Sequence, residues 1–240
     1  MRLTENIYLL AGVSYGTLGN VYGIVYRDGL VMIDCGRTDE AVPVIEENLR
    51  AWHLDGLPVT HLLITHGHPD HCANALYFQK KGTVVIAGGK DARQIIRLGD
   101  YDPQIFPCVL HDFEEDCLFE PCEVDVQIDE DCSFAIGDLA VEVILTPGHT
   151  QGSVVYMIGI KGKRYMFSGD TLSISGSRGT VPILGTSASV DYCGRDYIAS
   201  MQKLLNRYPD GILGGHGFPR FGACNRIVAS ACMKAMAERS

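Results

Sequence analysis

Within six residues the chain places three imidazoles and a carboxylate, His66-Gly67-His68-Pro69-Asp70-His71. Imidazole nitrogen and carboxylate oxygen are the donors that zinc and similar first-row ions accept, at roughly 2.0–2.2 Å. The apolar run Leu62-Leu63-Ile64-Thr65 before them reads as a buried strand, and Asn74-Ala75-Leu76-Tyr77-Phe78 after them as the start of a helix. On extended backbone His66 and His68 alternate and reach one point, while Asp70 and His71, in the next turn, aim at a neighbouring one. Three further strand ends carry candidate donors: His149 after Leu139–Leu145, Asp170 after Arg164–Phe167, and His216 after Ile212-Leu213. Each sits beside glycine, which lets backbone come close to a compact centre, and strand-end loops are where rigid scaffolds present catalytic groups. Five of the eight histidines occupy these places. A solvated polar loop would account for one such histidine, but not for the joint pattern.

These donors need a scaffold of strands. Ile7–Leu10, Asn20–Tyr26 and Leu30–Ile33 read as strands, the last two joined by the turn signal Arg27-Asp28-Gly29. A helix is expected from Thr38 to about Trp52, on the spacing of Ala41, Val44, Ile45 and Leu49. The site strand at 60–65 follows, then a strand at Thr83–Ala87 and a helix at Lys90–Leu98. Residues 99–131 break the rhythm with Pro103, Pro107, Pro121 and much acid, and read as an acidic insertion beside or over the site. Strands at 139–145, 153–160 and 164–167, a loop at 171–190, a helix at 191–207, a short strand at 212–213 and a helix at about 225–237 complete the chain. Strands first, then strands mixed with helices, suggests two sheets packed together and covered outside by helices, in one domain over 1–240.

A hydrophobic content of 46% and a charged content of 20% are globular values. The net charge of −9, with lysine and arginine scattered, argues against a nucleic-acid surface. No apolar run reaches the length of a membrane span, and Met1–Glu5 has no signal-peptide core. Nine cysteines without an export signal read as reduced thiols of a cytoplasmic protein. The expected partner is a small-molecule substrate, with a homodimer as the oligomeric guess.

The segments His66–His71, Thr146–Thr150, Ser168–Asp170 and Gly214–Gly217, with Asp34-Cys35-Gly36 before them, resemble the metallo-β-lactamase superfamily in order and spacing. The resemblance implies a four-layer αββα sandwich of two mixed sheets flanked by helices, with a two-metal site at one edge. Carried over position by position, it implies His66, His68 and His149 on one ion, Asp70, His71 and His216 on the other, and Asp170 bridging. Seven donors exceed one tetrahedral ion but suit two ions with open positions. Asp34 would hold the ligand loop through hydrogen bonds. Zinc is the expected metal, and iron or manganese would accept the same donors. Two ions sharing a water would lower its pKa from about 15.7 toward 7, and the hydroxide would attack a carbonyl carbon. Asp70 would orient this nucleophile or shuttle its proton.

Within the superfamily the nearest resemblance is to glyoxalase II-like thioester hydrolases, although only 24 residues follow His216 and the helical C-terminal domain of the larger members has no counterpart. N-acyl homoserine lactonases share the ligands but place a tyrosine shortly after the bridging aspartate, where this chain has Thr171-Leu172-Ser173. Tyr15 or Tyr192 would have to be brought near by folding. A persulfide dioxygenase-like enzyme would use one iron on His66, His149 and Asp170, and a non-catalytic module would have lost a ligand. Arg178 is a candidate for a substrate carboxylate or phosphate. Cys35 and Cys72 adjoin the motifs and read as small core residues. Cys108, Cys117, Cys122 and Cys132 lack zinc-ribbon spacing. His53, His61 and His111 read as surface or packing residues.

Overall fold

Runs such as Ile7–Ala11, Gly29–Ile33 and Val154–Ile160 lack polar–apolar alternation because both of their faces are buried. The computed structural model describes residues 1–99, 119–175, 180–187 and 191–239. The first sheet contains β1 (Ile7–Ala11), β2 (Val21–Tyr26), β3 (Gly29–Ile33), β4 (Val59–Leu63), β5 (Val84–Gly88) and β6 (Val126–Ile128), in that spatial order. It is antiparallel from β1 to β3 and parallel from β3 to β6. Its helices are α1 (Thr38–Ala51), α2 (Pro69–Cys72), α3 (Ala75–Gln79) and α4 (Gly89–Asp91), the last continuing as a π-helical turn over Ala92–Ile96.

The second half supplies β7 (Cys132–Ile136), β8 (Leu139–Leu145), β9 (Val154–Ile160), β10 (Lys163–Gly169), the small hairpin β11 (Ser173–Ser175) and β12 (Val181–Ile183), β13 (Gly211–Gly214) and β14 (Arg220–Phe221), with helices α5 (Gly194–Leu204) and α6 (Cys224–Glu238). Its six-stranded sheet runs in the order β14-β13-β10-β9-β8-β7. The pair β10–β13 is parallel and the other pairs are antiparallel.

Side chains sort by the two-residue period of a strand. In β1 Ile7 and Leu9 face the second sheet, while Leu10 faces α1 and its neighbours. In β9 Val154, Tyr156 and Ile158 face the first sheet, while Val155 and Met157 lie with α5 and α6 residues such as Met201 and Val228. Three apolar clusters follow: helix on sheet, sheet on sheet, and sheet on helix. This is the αββα sandwich. Among the described residues, no helix is long and apolar enough to cross a membrane.

The topology puts the candidate donors at one edge. β3 and β4 run the same way, as do β10 and β13, and β8 is antiparallel to β9, which is antiparallel to β10. The ends of β3, β4, β8, β10 and β13 meet there. The sheets are tied at this edge by Val154 N–H donating to Thr65 O (2.8 Å), Tyr156 O–H to Ile64 O (2.9 Å) and Asn20 N–H to Gly215 O (2.6 Å).

The sequence reading of 99–131 as an insertion needs a correction at its end. Residues 100–118 lie outside the described residues, but Phe119, Cys122 and Val124 are buried against the first sheet's helices, and β6 extends that sheet. Only three residues long, with Val126 and Gln127 exposed, β6 offers no buried run to recognise. The expected loop at 171–190 contains the hairpin β11–β12.

Candidate metal centre

Asp34 is the lowest layer of the site. It follows β3 with φ of 58°, a left-handed conformation that aspartate adopts more readily than most residues. Its Oδ1 accepts Thr65 N–H at 2.7 Å, and its Oδ2 accepts both the Thr65 hydroxyl and His71 Nδ1–H at 2.8 Å. The Thr65 hydroxyl proton is thereby committed, so Thr65 Oγ1 accepts from His66 Nδ1 at 3.1 Å. His149 Nδ1 donates to Thr186 O at 3.1 Å. In each case Nδ1 carries a proton and Nε2 is turned inward; for His66 and His149 that leaves the Nε2 lone pair facing the site. His66 Nε2 and Asp170 Oδ1 are buried without any hydrogen-bond partner, an arrangement that costs free energy unless a cation completes it.

The seven donors form two groups. His66, His68, His149 and Asp170 make one; Asp70, His71 and His216 make the other; within each group the donor atoms lie within 4.8 Å of one another. In the second group the separations are 3.3 Å for His71 Nε2 to His216 Nε2, 3.3 Å for His71 Nε2 to Asp70 Oδ2, and 3.2 Å for His216 Nε2 to Asp70 Oδ2. In the first, His68 Nδ1 to His149 Nε2 is 3.1 Å and His149 Nε2 to Asp170 Oδ2 is 3.6 Å. Bonds of about 2.1 Å in tetrahedral array put donors about 3.4 Å apart. Asp170 also approaches the second group, its Oδ2 3.3 Å from His216 Nε2 and its Oδ1 3.6 Å from His71 Nε2. The donor set therefore fits two cations with Asp170 between them. Glycine makes room: a Cβ on Gly215 would lie 2.3 Å from Asp170 Oδ1, and one on Gly169 (φ 47°) 2.5 Å from Thr65 Oγ1.

The two groups differ in charge. Burial pushes His66, His68 and His149 below the usual histidine range. Asp170 drives His216 up to about 10. His71 is also held well above the usual range: burial opposes this, and Asp70, Asp170 and Asp34 overcome it. Asp70 and Asp170 are held well below the carboxylate range: burial opposes this too, and the neighbouring histidines outweigh it.

The remaining sequence candidates lie elsewhere. The Tyr15 hydroxyl meets the Met1 amino group, and its ring packs on the apolar layer between the sheets. Tyr192 sits under Arg239 and beside Tyr197, its hydroxyl buried without a partner. No hydrogen bond among the described residues joins either hydroxyl to the seven. Arg178 lies outside the described residues. Cys35 and Cys72 are fully buried and give their thiol protons to His71 O and Gly67 O, and the seven described cysteines are all free thiols.

Several supporting residues were not picked out from the sequence. Tyr197 O–H donates to Thr171 O at 2.7 Å and lies 3.2 Å from Asp170 O, and it accepts Gly185 N–H at 2.9 Å. Asn20 Nδ2 lies 3.0 Å from Gly214 O and 3.2 Å from Gly217 O, on either side of His216. Asp91, 1% exposed, takes N–H bonds from both ligand-bearing loops of the first group. In the sequence Tyr197 reads only as part of an apolar helix face, and Asn20 and Asp91 carry no spacing signal at all.

Comparison with known proteins agrees with this geometry. Residues 15–192 match the model of the metallo-beta-lactamase superfamily. The chain belongs to that superfamily. A subclass B3 metallo-beta-lactamase of Bradyrhizobium japonicum shares the fold, with a TM-score of 0.74 and 21% identity over 100% of this chain and 94% of that one. Among curated relatives, a probable hydroxyacylglutathione hydrolase of Schizosaccharomyces pombe is 26% identical over 193 residues, covering 80% of this chain and 60% of that protein. A hydroxyacylglutathione hydrolase of Rhodopseudomonas palustris is 30% identical over 185 residues, covering 71% and 60%. The chain thus spans about three fifths of the length of these relatives.

Proposed function

We propose that this superfamily member is a binuclear metallo-hydrolase, with zinc as its metal, that cleaves small thioesters of the hydroxyacylglutathione type. The observation that carries this reading is the second donor group, whose three atoms stand 3.2–3.3 Å apart beside the four of the first. His66, His68 and His149 would hold one ion and Asp70, His71 and His216 the other, with Asp170 shared between the two groups. When bound, the ions supply the Lewis acidity that activates water and polarises the carbonyl.

The protein's own groups do the rest. Asp34 and Thr65 fix the tautomers of His71 and His66, and the Thr186 carbonyl fixes that of His149. Asp70 is the most open of the three site carboxylates, at 20% side-chain exposure against 11% for Asp170 and 2% for Asp34. Ionised at neutral pH, Asp70 is placed to orient the attacking water by accepting its hydrogen bond. A thiol of pKa about 8.5 departs as thiolate with little help from a general acid, which favours thioester over amide. The names of the curated relatives point the same way.

The test is turnover of a hydroxyacyl thioester of glutathione by zinc-loaded protein, beside an N-acyl homoserine lactone and, for iron-loaded protein, oxygen uptake with glutathione persulfide. Zinc-dependent thioester cleavage above the other two is expected. Iron-dependent oxygen uptake without thioester cleavage would reject the proposal.

A further inference from the structure

One buried carboxylate is left unused by the chemistry above. Asp91 closes α4, just past the end of β5 in the first sheet, and is 1% exposed. Its Oδ2 accepts Gly67 N–H at 2.7 Å and the Thr150 hydroxyl at 2.6 Å, and its Oδ1 accepts Gly152 N–H at 2.7 Å. Gly67 separates His66 from His68, and Thr150 follows His149. One side chain therefore joins a loop of the first sheet to a loop of the second, and both loops carry donors of the first group.

The fit is close. A Cβ on Gly152 would lie 2.3 Å from Asp91 N and 2.4 Å from its Oδ1, and one on Gly67 would lie 3.2 Å from Asp91 Cβ and 2.8 Å from Ile95 Cδ1. Thr150 is itself held by Ser153, whose Oγ lies 2.7 Å from Thr150 Oγ1 and accepts Thr150 N–H at 3.2 Å. Burial pushes the Asp91 carboxyl up to about 6, with the nearby Asp191 carboxylate adding to the rise and the bonds from Thr150, Gly67 and Gly152 opposing it. Burying a carboxylate with a pKa raised in this way costs stability. Its three donors lie on the loops that carry His66, His68 and His149.

We infer that Asp91 is the positioning residue of the first ligand group, clamping the His66–His68 loop against the His149 loop so that their nitrogens converge. The inference rests on the two-ion reading above. The second group has ties of its own, Asn20 to the 214–217 turn and Asp34 to His71, so it is expected to depend on Asp91 far less.

The experiment measures zinc affinity of metal-stripped protein by competition with a chromophoric chelator, in two backgrounds. His216→Ala leaves the first group as the intact site, and His68→Ala leaves the second. Adding Asp91→Asn to the His216→Ala chain is expected to lower the affinity about 10- to 100-fold, the usual cost of losing a partner that orients ligands. Adding it to the His68→Ala chain is expected to change affinity by less than about twofold. Equal losses in both backgrounds would make Asp91 merely structural and overturn the inference, as would no loss in the first. If circular dichroism shows Asp91→Asn unfolded, Thr150→Val removes one of the three donors and is expected to weaken only the first group, by about threefold; no loss there overturns the inference. A parent chain that binds no zinc would reject the proposed function itself, whereas two ions bound with Asp91→Asn indifferent would reject this inference alone.

Discussion

The first ligand group sets three buried histidines around one carboxylate; the second sets two histidines between Asp70 and Asp170, with Asp34 behind. Both groups gather their donor atoms within 4.8 Å, yet their histidines are shifted in opposite directions. Burial keeps His66, His68 and His149 neutral, so their lone pairs stand ready for a cation. Carboxylates load His71 and His216 with protons, which a cation must displace. One site teaches both ways of keeping ligands in place without metal: fixed tautomers in a dry pocket, and ion pairs that hold the geometry until exchange.

The change that would erase the comparison is Asp170→Ala, since Asp170 faces both groups. Both ions should be lost, and turnover should fall by at least about 100-fold, the upper end of what losing even an outer partner costs. The far-ultraviolet circular dichroism should stay unchanged. Full activity with metal retained would contradict the bridging assignment.

A second way to sharpen the comparison is the stability of the metal-free protein. His216 is raised from 6.5 to about 10, so its ion pairs stabilise the fold fully below pH 6.5 and lose that contribution as pH rises through 10. The difference in urea-unfolding stability between wild type and His216→Ala should be largest at pH 6 and shrink toward pH 10. A difference independent of pH would mean that the second group does not hold these protons.

Smaller effects are expected from the supports. Asn20→Ala loosens the 214–217 turn and should weaken the second ion about tenfold, leaving the first unchanged in a stepwise zinc titration. Loss of both ions alike would blur the distinction between the groups. Cys72→Ser keeps a donor toward Gly67 O and should hold thioester turnover within about twofold. A large loss would give that thiol a role its burial does not suggest.

The part of the site legible in sequence is the part whose chemistry is written in residue type and spacing. His66, His68, Asp70 and His71 follow an apolar run directly, and His149, Asp170 and His216 each follow another, so topology had only to bring strand ends together. The fold was legible where strands are long and buried on both faces, as in β9 and β10. It was not legible in β6, β11, β12 and β14, whose two or three residues carry no period. Asn20, Asp91 and Tyr197 escaped notice because their partners are mostly backbone groups of distant loops, which no local pattern encodes.

The central claim is a two-ion site with unequal proton loads, and zinc titration of the metal-stripped chain at pH 8 and pH 6 tests it most directly. Two ions per chain are expected at pH 8. At pH 6 one step should keep its affinity, and the other should weaken by at least about 100-fold, the least that displacing a proton over two pH units requires, and toward about 10,000-fold where both His71 and His216 give one up. Saturation at one ion, or two steps that shift equally with pH, would contradict it.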